Sequence, residues 1–131
     1  MIKKIVKKIW SSNSHEDVHT PSNEIASFVL MYKEIEIGTL QIKDSIWKFE
    51  YSLEFQKQND LSPIVDFPDK NKAYESEQLW PFFSYRIPGL SQPDVKEILK
   101  EEAIDKNNEV ALLKKFGKFS VYNPFKLNPT F

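Results

Sequence analysis

The chain has no cysteine among its 131 residues, which excludes disulfides and cysteine-ligated metal centres and is compatible with a reducing, cytoplasmic setting. Its three glycines are too few for a Gly-rich phosphate loop. His15 and His19 are the only histidines, and both precede the hydrophobically patterned region, so no histidine base stands there beside a serine. No G-x-S-x-G, P-loop, H-R-D or D-F-G sequence occurs. These absences predict a non-enzyme without a cofactor. No apolar run approaches the ~18 residues of a membrane span, which predicts no stable membrane insertion. Charge of one sign is lacking too. The 18 basic and 19 acidic residues leave a net charge of −1, which argues against direct nucleic-acid binding. Aromatic residues are abundant instead: ten Phe, five Tyr and three Trp make up 14% of the chain. With 40% hydrophobic residues in one domain's length, the chain can bury a core of its own.

The first ten residues stand apart. Ile2, Ile5, Val6, Ile9 and Trp10 recur at helical spacing, and Lys3, Lys4, Lys7 and Lys8 take the other face. The pattern predicts a short basic amphipathic helix. It fits a helix docked on its own domain or on a partner, a membrane-surface anchor, or a frayed tail. A polar stretch over 11–23 reads as a linker, so residues 1–23 form an N-terminal segment and 24–131 the domain. Three strands are then expected, at Ile25–Tyr32, Ile35–Ile42 and Ile46–Tyr51, joined as an antiparallel meander by short turns. Gly38 marks a bulge or a close approach of backbones. In the third strand Trp47, Phe49 and Tyr51 alternate with Ile46, Lys48 and Glu50, which predicts an aromatic face turned inward. Residues 53–60 read as polar and turn-like. Residues 61–68, with two prolines, read as an extended edge segment, and 69–74 as a charged loop.

Helices dominate the second half. Pro81 predicts a short one to about Tyr85. Ser91 is placed to cap the next, with Val95, Ile98 and Leu99 on one face as far as Ala103. Asn107 or Asn108 caps the last, which carries Val110, Leu113 and Phe116 and stops at Gly117. Phe119, Val121 and Tyr122 suit a short final extended segment, with Pro124 and Pro129 ending the ordered chain. Strands first and helices after define an α+β fold, a small antiparallel sheet packed with two or three C-terminal helices.

Two constellations invite a chemical reading. His15-Glu16-Asp17-Val18-His19 satisfies the zinc-protease pattern H-E-x-x-H, but its polar flanks and Pro21 give no buried helix to carry two ligands on one face. A metal site is therefore not expected. The stronger signal is Leu79-Trp80-Pro81-Phe82-Phe83-Ser84-Tyr85-Arg86, which gathers four aromatics and the chain's single arginine. Trp, Tyr and Arg are the side chains enriched at binding hot spots. Leu79, Trp80, Phe82, Phe83, Tyr85 and Arg86 are thus the candidate partner-binding residues. Spacing leaves open whether Trp80 is an exposed anchor or a core residue. It also leaves open whether Arg86 meets an acidic partner group or serves an internal salt bridge or cap.

Several short stretches, in order, resemble the N-terminal subdomain of HipA-type serine/threonine kinase toxins. They are Ile37-Gly38-Thr39-Leu40, Trp47-Lys48-Phe49-Glu50-Tyr51, Leu61-Ser62-Pro63-Ile64-Val65-Asp66-Phe67-Pro68, Pro81-Phe82-Phe83 with Ile87-Pro88-Gly89-Leu90, and Leu112 through Val121. The kinase's nucleotide and catalytic motifs do not follow, so the chain resembles the HipS-like small proteins of HipB–HipS–HipT toxin–antitoxin systems. The resemblance implies a non-enzymatic antitoxin that binds and neutralises a HipT-like kinase, with Trp80 on the segment that reaches toward the kinase. It also admits a structural subunit that completes the kinase fold and links it to a HipB-like DNA-binding protein. Where the family turns its first hairpin on Asn-Gly, this chain has Lys33-Glu34, which implies a longer turn. The first 24 residues have no counterpart in the family.

Overall fold

The computed structural model describes residues 24–130. The basic segment 1–10, the linker and the His15/Glu16/His19 pattern lie outside the described residues. The expected α+β fold is present. Strands β1 (Ala26–Tyr32), β2 (Ile35–Lys43) and β3 (Ile46–Tyr51) form the meander. Helix α1 (Leu53–Lys57), strand β4 (Tyr74–Ser76) and helices α2 (Pro81–Ser84), α3 (Pro93–Glu101) and α4 (Glu109–Phe116) follow, and β5 (Lys126–Pro129) closes the order. All pairings in the five-stranded sheet are antiparallel, in the order β4-β3-β2-β1-β5.

Register gives the sheet one wet and one dry face. Phe28 lies opposite Leu40, which lies opposite Phe49; Ala26, Ile42 and Trp47 form the next row. Successive side chains alternate across a strand, so these rows with Leu30, Tyr51 and Leu127 share one face, and all of them are buried. Gln41 and Glu50 sit on the other face, exposed, with Glu50 beside Lys48 at 3.8 Å. The helices supply Phe55, Phe83, Val95, Leu99, Val110, Leu112 and Leu113 to the same core as the dry face.

Gly38 is both a bulge neighbour and a close approach, as expected. Leu30 pairs with Gly38 but Met31 pairs with Glu36, so Ile37 is the extra residue. A Cβ on Gly38 would lie 2.5 Å from the Glu50 carbonyl oxygen and 2.8 Å from the Phe49 ring, inside contact distance of both. The first hairpin turn is not longer than two residues: Tyr32 pairs with Ile35, and Lys33 takes a φ of 53° in place of the usual glycine or asparagine. In the second hairpin Asp44 and Ser45 both have positive φ, 52° and 64°, the conformation whose twist matches the flanking strands.

Other expectations need correction. Residues 53–60 are not merely turn-like, because Ser52 caps α1 by accepting from the Phe55 N–H, and Phe55 enters the core. Residues 61–68 join no strand; the sheet edge is β4, which begins inside the stretch read as a charged loop. Gln92, not Ser91, precedes α3, and no side chain caps it. That helix ends at Glu101, where Ala103 adopts a φ of 52° and the Ile104 N–H closes on the Leu99 carbonyl at 2.9 Å, a Schellman stop. Asn108 is the cap of α4, accepting from the Ala111 N–H at 3.0 Å. Gly117 follows that helix with a φ of −82°, so left-handedness is not its role. Phe119, Val121 and Tyr122 are exposed at 61%, 93% and 73% and form no strand. Pro124 and Pro129 do not end the order, since β5 runs between them and takes Pro129 at its edge, where no donor is missed.

Candidate functional site: an aromatic segment on a buried clamp

Helix α2 carries the aromatic segment. Pro81 occupies its first turn, where a missing N–H costs nothing, and the Phe83 N–H bonds the Trp80 carbonyl at 2.9 Å. One helical turn separates the candidate residues by burial. Leu79 and Phe83 are buried, Trp80 and Phe82 are half-buried, and Tyr85 is 66% exposed. Arg86 is buried as well, at 5% exposure. The structure thus brings Trp80, Phe82 and Tyr85 to the surface and sets Leu79, Phe83 and Arg86 beneath them.

Trp80 stands between the two readings left open by its spacing. Its ring meets the edge of Phe67 at 4.9 Å and Phe83 at 6.5 Å, while part of it stays in solvent. Phe82 packs edge-on against Phe83 at 5.1 Å and tilts over Phe125 at 5.9 Å. Tyr85 faces Tyr122 at 5.9 Å. A side chain held this way has less rotamer freedom to lose than a free one.

Two polar devices fix the frame. Among the described residues, Arg86 forms no salt bridge with a carboxylate. Its Nη1 donates to the carbonyls of Gly117 at 3.1 Å, Lys118 at 3.4 Å and Phe125 at 3.0 Å, and its Nη2 donates to Asn123 Oδ1 at 3.0 Å. The guanidinium also lies 5.6 Å above the Phe82 ring. Of the internal roles expected, the cap is realised, since Gly117 is the C-cap of α4. Burial pulls the cation down from 12.5 to about 10, and it stays charged at neutral pH.

The second device is Tyr51. Its hydroxyl donates to the Phe67 carbonyl at 2.6 Å and accepts from the Ile64 N–H at 2.8 Å, tying an irregular loop to the sheet. Burial raises this phenol from 10.0 to about 12, against the opposing Ile64 bond; the charges of Tyr74 and Asp66 add to the rise. Because the folded value is the higher one, the stabilisation is fully present below pH 10 and is lost as pH rises through about 12. A spectrophotometric titration of the folded protein is expected to show one late phenol near 12 that vanishes in Tyr51→Phe. Persistence of the late step in that variant would contradict the assignment.

Tyr51, Phe67, Val65, Tyr122 and Asn123 were not among the expected site residues. The Trp47-x-Phe49-x-Tyr51 alternation marks Tyr51 as inward-facing, but nothing local marks its partner 16 residues away. Among the described residues, no three His, Cys, Asp or Glu side chains converge as metal ligands, and no helix is long and apolar enough to cross a membrane.

Comparison with known families matches residues 29–121 to the HipA N-terminal domain. The chain belongs to that family. The matched region begins within β1, covers the rest of the meander, the aromatic segment and α4, and ends before β5. No curated protein matches the chain.

Proposed function

We propose that the protein is a non-enzymatic, antitoxin-type binding partner that docks on a HipT-like serine/threonine kinase in the cytoplasm and neutralises it. The observation that carries this reading is the placement of the aromatic segment within a HipA N-terminal domain. Trp80, Phe82 and Tyr85 present a preorganised apolar edge, while Leu79, Phe83 and Arg86 hold it from below. The matched family is an N-terminal domain and not a catalytic kinase domain, which is compatible with a binding partner. In this mechanism Trp80 enters an apolar pocket of the kinase and blocks productive binding there.

Trp80→Ala tests it. A half-buried anchor is worth about 2–4 kcal/mol, so affinity for the kinase is expected to fall ~30- to 1000-fold with inhibition lost in parallel. Titration calorimetry and a phosphorylation assay measure the two effects. Unchanged binding and inhibition would remove Trp80 from the interface. Tight binding to a fully active kinase would instead favour the structural subunit that links the kinase to a HipB-like protein.

A further inference from the structure

A groove of about 450 Å3 opens beside α2, between the 62–66 loop and the 120–125 strap. Its volume is that of a site that encloses a ligand. Val65, Tyr85 and Tyr122 rim it, exposed at 90%, 66% and 73%. Two of its polar side chains are already engaged within the chain. Asn123 Oδ1 accepts from Arg86 and from the Phe125 N–H, and Ser120 Oγ accepts from the Tyr122 N–H. The remaining charged group is Asp66, exposed at the groove and without an ion pair among the described residues. Such a groove suits an occupant with several apolar side chains and a cation beside them.

The chain carries such a sequence. Residues 1–10 interleave Ile2, Ile5, Val6, Ile9 and Trp10 with Lys3, Lys4, Lys7 and Lys8. The described chain starts at Glu24, two residues before the start of β1 at Ala26, and the groove residue Phe125 meets Tyr32 at the other end of that strand at 5.6 Å. The seven residues of β1 cover roughly 23 Å. The 13 residues 11–23 reach roughly 43 Å when extended. The tether therefore spans the distance, and tethering keeps the segment near millimolar effective concentration. We propose that the basic, apolar segment 1–10 of the same chain docks in the groove between the 62–66 loop, α2 and the 120–125 strap, with its lysines beside Asp66. The docking itself is independent of the kinase reading. Its consequence rests on that reading: the groove shares Phe82 and Tyr85 with the proposed interface, so a kinase seated there displaces the segment.

The absence of cysteine makes the test clean. Ile9→Cys is combined in the full chain with Val65→Cys or, separately, with Tyr122→Cys, both at exposed rim positions that leave the core untouched. Gln41→Cys, exposed on the wet face of β2, is the control partner. Under oxidation the rim pairs are expected to form an intramolecular disulfide at least about tenfold faster than the control, at a rate independent of protein concentration. Asp66→Lys is expected to slow the rim pairs, and Lys7→Glu added to it to restore them. Equal rates for rim and control pairs would overturn the proposal. So would cross-links that form between molecules in proportion to concentration, which would assign the groove to a second copy.

Discussion

Phe67→Ala is expected to lower the stability of the domain by about 3–5 kcal/mol, the range for a fully buried aromatic truncated in a core. The ring has no solvent exposure. It stacks on Phe49 at 4.4 Å, meets Tyr74 at 5.2 Å and Trp80 at 4.9 Å, and tilts over Phe83 at 6.0 Å. Phe67 therefore joins the dry face of the sheet, the edge strand and the aromatic segment. Its neighbours are held by separate elements and cannot collapse together into the gap, which places the loss toward the upper part of the range. Urea unfolding gives the value directly. A loss below about 1 kcal/mol would mean that the rings repack and that Phe67 is not the junction. Phe67→Leu, which keeps most of the volume, is expected to cost less than about 1.5 kcal/mol. The pair also separates two roles in binding. Trp80→Ala removes the anchor and, because its ring is only half-buried, is expected to cost less stability than Phe67→Ala, whereas Phe67→Ala leaves the anchor in place without the ring edge that orients it. Weaker kinase binding by Phe67→Ala at a temperature where the variant stays folded is thus a measure of preorganisation alone.

How far the sequence could be read follows from how local each cause is. The third strand was legible because a two-residue period over six positions has one sensible orientation, with Trp47, Phe49 and Tyr51 inward. The helix starts at Pro81 and at Asn107 or Asn108 rest on signals within one turn and were legible too, the second to within one residue. The aromatic segment was legible as a cluster but not residue by residue, since α2 is only one turn long and burial there depends on what lies beneath. What escaped depends on distant partners. Strand β4 is three residues long and owes its state to Trp47, Lys48 and Phe49 opposite it. Strand β5 lies between two prolines, a local signal against order, yet it pairs with β1 through four positions on an open edge. Helix α1 escaped because one buried residue, Phe55, makes no period; its ring stacks on Tyr51 at 4.5 Å, a contact with another element. The groove was invisible for the same reason, since its three walls come from residues near 64, 83 and 122.

Arg86→Ala is expected to cost about 2–4 kcal/mol and to free the C-terminal strap before the rest of the domain unfolds. The argument starts from the partners. Among the described residues no carboxylate pairs with this cation, and four acceptors converge on it from across 31 to 39 residues of chain: three main-chain carbonyls and Asn123 Oδ1. A hydrogen bond from a charged donor is worth about 1.5–3 kcal/mol net, and an acceptor left buried without one pays its desolvation again. Water entering at Asn123, which lines the groove, recovers part of this, so the sum falls well short of four full bonds. The buried Nε, which has no partner among the described residues, adds nothing to be lost. An apolar replacement cannot help, because the carbonyls need a donor. Arg86→Lys keeps the charge but offers a compact ammonium in place of a planar fork, and it is expected to recover no more than about half of the loss. The location of the damage discriminates further. The strap closes on itself through the Leu127 N–H to the Lys118 carbonyl at 2.9 Å, and β5 adds its register on β1. With the clamp gone, amide exchange is expected to accelerate first at Leu127 and Asn128, while the amides of β2 and β3 keep global protection. Uniform acceleration across all strands would show instead that Arg86 supports the domain as a whole. Because the strap forms one of the three walls of the groove, the same variant is expected to abolish the rim cross-link to Ile9→Cys at temperatures where the sheet remains intact.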